Sequence, residues 1–103
     1  MDMQDRWNCL VNGVGELRQM LLQARLTSVV VGAESIESGV DEAWEECHED
    51  LQGVLIAQEQ HALLVNRLRN AYRYFLDAEF YAAVWEVTQA LRLLQRLRKL
   101  QGY

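Results

Sequence analysis

The stretch of sequence that decides the fold is residues 72–97, YRYFLDAEFYAAVWEVTQALRLLQRL. Apolar residues recur in it at steps of three and four, the spacing of one face of an α-helix, on both sides of the break Leu76-Asp77-Ala78-Glu79. Two helices that are joined by so short a break pack antiparallel. The stretch therefore predicts a C-terminal helical hairpin whose last helix covers about 79–101.

A first helix is predicted near the N-terminus, at about 3–26. Gly13 and Gly15 lie inside it and each costs on the order of 1 kcal/mol relative to alanine, so this helix needs tertiary packing or breaks there. The residues predicted to form its apolar face are Met3, Trp7, Leu10, Val11, Val14, Leu17, Leu21 and Ala24.

The middle of the chain carries the longest pattern, which runs without slip from Val40 to Phe75. It predicts a long second helix at about 38–76, either continuous or made of two helices joined near Gly53. Residues 27–37, about one-tenth of the chain, are predicted to be a linker. This linker holds the N-cap candidates Ser35 and Ser38 and the three valines of 29–31, a candidate edge for a partner strand.

These patterns predict an all-α fold: a single domain over 1–103 with three helices in an up-down arrangement, a long second helix and a C-terminal antiparallel hairpin. The chain has 103 residues, 50% of them hydrophobic, and no proline, which suits one helical core and excludes intrinsic disorder. A core of this size is sufficient for a monomer, and a dimer would stabilise it further.

Charge and composition exclude several classes of function. The formal net charge is −5, and 34–50 contains eight acidic residues with no Lys or Arg among them, so direct binding of nucleic acid is not expected. No stretch approaches the roughly 20 apolar residues of a membrane span. Cys9 and Cys47 do not form a CxxC motif and are expected to be reduced core thiols of a cytoplasmic protein.

No motif of catalysis or cofactor binding occurs, so neither an enzyme nor a cofactor is predicted. Glu45-x-x-His48 has the spacing of a carboxylate-bridged di-iron bundle, but such a site needs a second copy of the motif. The other histidine, His61, has Gln58 three residues before it, and this neutral amide is a poor substitute for a bridging carboxylate. Cys47 and His61 lie about 21 Å apart along a continuous helix, too far to share one zinc ion. A metal-binding bundle therefore remains the least favoured alternative.

The surface of the hairpin is the most informative feature of the sequence. Tyr81, Trp85 and Arg92 lie beside the core stripe of the last helix, and together with Tyr74 they are predicted to bind a partner protein, because aromatic residues and arginine dominate binding hot spots. The alternative is that the aromatic residues only widen the core. A homodimer interface is predicted at Leu93, Leu97 and Leu100, although Leu97 also widens the inner stripe.

A short, acidic, cysteine-poor helical chain with an aromatic hairpin and a leucine-rich last helix, from Trp7 to Leu100, resembles the small bacterial anti-activators of quorum sensing, of the QslA type. The resemblance implies a dimer that binds the ligand-binding domain of a LuxR-type transcription factor and blocks its dimerisation and its attachment to promoters. It transfers no individual site residue. A dedicated chaperone or adaptor for a secreted effector would share the size, the acidity and the hairpin, and it is the alternative function.

Overall fold

The computed structural model describes residues 2–27, 33–52, 54 and 58–103. All the regular secondary structure in this part of the chain is helical, which confirms the all-α class. The described residues form four helices: α1 (Met3–Thr27), α2 (Ala33–Gln52), α3 (Gln58–Leu76) and α4 (Phe80–Leu100).

Of the two forms predicted for the second helix, the continuous one is wrong and the alternative of two helices joined near Gly53 is confirmed, since α2 ends at Gln52 and α3 begins at Gln58. Val54 forms a bend outside any helix, so the pattern from Val40 to Phe75 is divided between α2 and α3. A continuous helix over 38–76 would be about 58 Å long, whereas the longest dimension of the molecule is 43 Å. Dividing it allows both parts to bury their apolar faces in one core.

The predicted linker at 27–37 is also largely replaced by helix. Thr27 ends α1, and α2 already begins at Ala33, so Ser35 and Ser38 lie inside α2 and are not its N-caps. The three valines that offered a strand edge belong to 28–32, which lies outside the described residues, as does Gly53.

Each helix runs antiparallel to the next, and α4 returns along α1. Arg18 in α1 donates to Thr88 Oγ1 in α4 at 2.8 Å, while Arg98 at the other end of α4 donates to Asn8 Oδ1 at 3.1 Å. α1 also packs on α2 and α3 on α4, whereas α2 and α3 pack less closely than these pairs. The result is an up-down bundle of four helices in which α4 has α1 on one side and α3 on the other.

One apolar core joins all four helices, and each contributes one buried stripe. Most of the apolar face predicted for α1 lies in this core, and α1 continues through Gly13 and Gly15 without a break. A Cβ added at Gly13 would make van der Waals contact with Cys47 Sγ at 3.4 Å, so α1 and α2 pack closely at this point. The largest fully buried side chains are Trp7, Leu10, Leu21, Leu51, Leu64, Leu68 and Leu94.

The turn between α3 and α4 is a Schellman motif at the predicted break. Glu79 N–H donates to the Tyr74 carbonyl at 2.8 Å and Ala78 N–H to the Phe75 carbonyl at 3.0 Å. Ala78 occupies the left-handed position with φ = 58°, where glycine is usual. This turn fixes the register of the hairpin and therefore the position of its outer surface.

Among the described residues, no helix combines the length and the apolar character that a membrane crossing requires.

Candidate functional site

The outer surface of α4 carries the residue types that the sequence singled out. Its inner stripe is buried, and on the opposite side one stripe of exposed residues follows the helix at steps of three, four and seven. We call this the outer stripe; it comprises Tyr81, Trp85, Arg92, Arg96 and Lys99. Aromatic residues form its N-terminal half and basic residues its C-terminal half.

Trp85 is held in place by a charged pair beneath it. Arg67 Nη1 lies 3.1 Å from Glu86 Oε2, and the guanidinium carbon of Arg67 lies 5.2 Å from the centre of the Trp85 ring. The Glu86 side chain is only 10% exposed, so Arg67 neutralises a carboxylate that faces the core side of the hairpin. Because the arginine is bound at one end, it presents a fixed cation to one face of the indole.

The edge of α3 that lies next to α4 extends this surface. Leu63 precedes Arg67 by one turn and Tyr74 follows it by two turns, so all three lie on one side of α3. Leu63 is exposed and Tyr74 is half-buried against the core. We call the combined surface the aromatic–arginine face; it consists of Leu63, Arg67, Tyr74, Tyr81, Trp85 and Arg92.

The four residues predicted to bind a partner therefore lie on one face of the hairpin. Tyr81 is 76% exposed, Trp85 is 53% exposed, and Arg92 is exposed, so these three do not widen the core. Tyr74 contributes only its outer part, because it packs against the core. Whether a partner occupies this face stays a prediction.

The predicted leucine interface is divided by the structure. Leu97 is 7% exposed and belongs to the core, which corrects its assignment to a dimer surface. Leu93 is half-buried and packs against the core, while Leu100 is 75% exposed in the last turn of α4. The physical reason is that Leu97 continues the inner stripe of α4, seven residues after Ala90 and three after Leu94.

Sequence reasoning missed Leu63 and Arg67 of this face, and it also missed Glu86, the buried partner of Arg67. The available signal was the position of Glu86, one residue before Val87 and three after Ala83 on an otherwise apolar and small-residue stripe. A single carboxylate at such a position needs a cation from a neighbouring helix. In a hairpin that turns at residues 77–78, Arg67 lies opposite Glu86.

The opposite side of the molecule is acidic. Glu42, Glu45, Glu46 and Glu49 follow the exposed face of α2, and this helix contains no Lys or Arg. Burial, with a smaller contribution from Glu49, raises the pKa of Asp50 above its ordinary value. The charge of the protein is thus separated, with carboxylates outside α2 and basic side chains outside α4.

The residues considered for a metal site do not assemble into one. Within residues 2–27, 33–52, 54 and 58–103, no three His, Cys, Asp or Glu residues are grouped as metal ligands. His48 instead stacks on Trp44, which stacks on Tyr72 at 5.3 Å between ring centres, and the Tyr72 hydroxyl donates to Asp41. This ladder joins α2 to α3.

The two cysteines differ in environment. Cys47 is buried, and burial together with nearby carboxylates, Asp50 first, raises the pKa of its thiol to about 12. Cys9 is exposed, which corrects the expectation that both cysteines lie in the core. Both are free thiols.

An open groove of about 630 Å³ lies between α1 and α4, where Gly15 leaves room beside Met20 and Leu91. Its other lining residues are mostly amides and one carboxylate: Asn12, Glu16, Gln19, Gln23 and Gln95, with Val11 at its base. A surface of this composition has no nucleophile paired with a base.

Comparisons of the chain with protein-family models, with curated proteins and with solved structures find no match.

Proposed function

We propose that this protein is a non-enzymatic cytoplasmic regulator that binds another protein through the aromatic–arginine face. The observation that carries the proposal is the arrangement of Trp85, which is exposed over half its surface and yet held by Arg67, itself bound to the buried Glu86. A large aromatic residue that is already ordered loses little entropy on binding, which is how a few residues come to dominate an interface.

The partner that we propose is a transcription factor of the LuxR type, as the resemblance to quorum-sensing anti-activators implies. The regulator would cover the surface through which two copies of the factor associate and so prevent attachment to DNA. Inhibition by occlusion requires only a docking surface. An exposed face with Trp85, Tyr81 and Leu63 around a fixed arginine meets that requirement.

The test uses the wild-type chain and two variants as bait in the organism that encodes it. Trp85→Ala removes the anchor, and Tyr103→Ala removes an exposed aromatic residue that lies outside the face. We expect one protein to be captured by the wild type and by the Tyr103 variant, with at least about tenfold less captured by the Trp85 variant, because hot-spot residues cost about 1.4 kcal/mol or more. The captured protein should be a transcription factor.

The outcome also separates the alternatives. Capture of a secreted effector would identify the chaperone function instead, and a stoichiometric transition metal in the purified protein would favour the metal-binding bundle. Equal capture by wild type and the Trp85 variant would show that the aromatic–arginine face is not the docking surface. Unchanged circular dichroism of each variant is the control for folding.

A further inference from the structure

We propose that the outer stripe of α4 is self-complementary, and that a second copy of this chain docks on it antiparallel across a two-fold axis. This inference is independent of the identity of the partner protein in the proposed function. It places the dimer contact on the solvent face of α4 rather than on the leucines that the sequence indicated.

The order of residues along the stripe carries the argument. From Tyr81 to Lys99 the stripe covers 19 residues, about 27 Å of helix. A two-fold axis midway between positions 90 and 91 brings the aromatic half of each copy onto the basic half of the other. Trp85 then faces Arg96 of the partner subunit, and Tyr81 faces position 100, next to Lys99 of the partner subunit.

The same register also accommodates Arg92, the basic residue nearest the axis. Gln89, which is half-exposed, would lie opposite Arg92 of the partner subunit, and its amide oxygen can accept from the guanidinium. In a parallel arrangement, by contrast, basic halves would face each other. The charges and the aromatic rings thus select one orientation.

The Trp85 ring is suited to a second cation. Arg67 covers one face of the indole at 5.2 Å from the ring centre, and the side chain remains 53% exposed. An arginine from a second copy can stack on the remaining surface, and arginine over tryptophan is the most favourable cation–π pair. Two-fold symmetry makes every such contact twice, which is why isologous dimers gain from each favourable pair.

The contact area is small. The contact is a single stripe about 27 Å long. The area that it buries is smaller than the roughly 1,200–2,000 Å² of a standard protein–protein interface. The dimer should therefore be weak, dissociating in the micromolar range, and a partner protein that uses Trp85 would displace the second copy.

The experiment is sedimentation equilibrium of the full chain from about 1 to 500 µM. Wild type should show a reversible monomer–dimer equilibrium. Arg96→Gln with Lys99→Gln should raise the dissociation constant at least tenfold. The matched control is Arg69→Gln with Arg73→Gln, which removes the same charge from exposed residues of α3 outside the stripe and should leave the constant within about twofold.

A mixing experiment tests the orientation. Tyr81→Ala with Trp85→Ala lacks the aromatic half, and Arg96→Gln with Lys99→Gln lacks the basic half, so neither variant should dimerise alone. Mixed together they retain one complete set of aromatic–basic contacts, and we expect a heterodimer that is weaker than the wild-type dimer. No association on mixing would overturn the antiparallel pairing.

Two further results would overturn the proposal. One is a wild-type monomer at every concentration. The other is the formation of oligomers larger than a dimer, if the double variant Glu45→Gln with Glu49→Gln abolishes them. That result would show that α4 of one copy contacts the glutamates of α2 in the next copy, head to tail. Neither result affects the capture experiment of the proposed function, because capture depends on Trp85 and not on dimerisation. The Arg96→Gln with Lys99→Gln variant keeps Trp85, so loss of the dimer and loss of capture can be told apart.

Discussion

Removal of Arg67 should destabilise the fold more than removal of an ordinary surface arginine. Its guanidinium lies 3.1 Å from Glu86 Oε2, and the Glu86 side chain is 10% exposed, so Arg67→Met leaves a carboxylate with little access to water. Breaking a fully buried pair costs about 3–5 kcal/mol. The Arg67 side chain is 33% exposed, which lets water reach the site and reduces the expected cost to about 2–3 kcal/mol.

The assay is urea unfolding followed by circular dichroism, with a double-mutant cycle on the pair. Arg67→Met should lower the free energy of unfolding by about 2–3 kcal/mol. Glu86→Leu combined with it removes both charges and should recover most of that loss, because an apolar pair of similar volume replaces a buried ion pair at little cost. Arg69→Met is the control and should change stability by less than about 0.5 kcal/mol.

The reasoning fails if the effects of Arg67→Met and Glu86→Leu simply add, because additive effects mean that the two side chains do not interact. It also fails if Arg67→Met costs no more than Arg69→Met. In either case Arg67 would be an ordinary surface cation, and Trp85 would lack the fixed support that the proposed docking surface requires.

Three further predictions concern stability. Ala78→Gly should raise the free energy of unfolding by about 0.5–1 kcal/mol, since Ala78 has φ = 58°; a lower denaturation midpoint would contradict it. Gly15→Ala should stabilise by a similar amount, about 0.5–1 kcal/mol, because an added Cβ meets nothing within 4 Å; calorimetry would measure it. The neutral Cys47 thiol contributes stability that is complete below pH 9 and lost as the pH rises towards 12, so wild type should lose on the order of 1 kcal/mol more than Cys47→Ala between pH 8 and pH 10.

The charge separation explains why a chain with net charge −5 can still carry a basic stripe on the outside of α4. The exposed glutamates lie along α2, and α4 lies diagonally across the bundle from α2, with α1 and α3 between them. Attraction between exposed charges is weak beyond about 8–10 Å at physiological salt, so each face acts almost independently on its own partner. A partner of α4 therefore experiences the local aromatic and basic groups more than the net charge.

By itself, the sequence determined the helical class, the break before Phe80, and the position of Tyr81, Trp85 and Arg92 beside the core stripe of the last helix. All of these follow from local periodicity, because a step of three or four residues fixes which side chains share one face of a helix. The break at Asp77 and Ala78 is equally local, since a turn is specified by a few consecutive residues.

Only the tertiary structure decided the division of the second helix, the exposure of Tyr81 and Trp85, and the pairing of Arg67 with Glu86. Each of these depends on which helices contact a given face and at which register. Periodicity cannot show that α4 packs against two neighbours, which widens its buried sector to include Glu86. The cation over Trp85 comes from α3, so it exists only because the packing of the hairpin brings the two helices together.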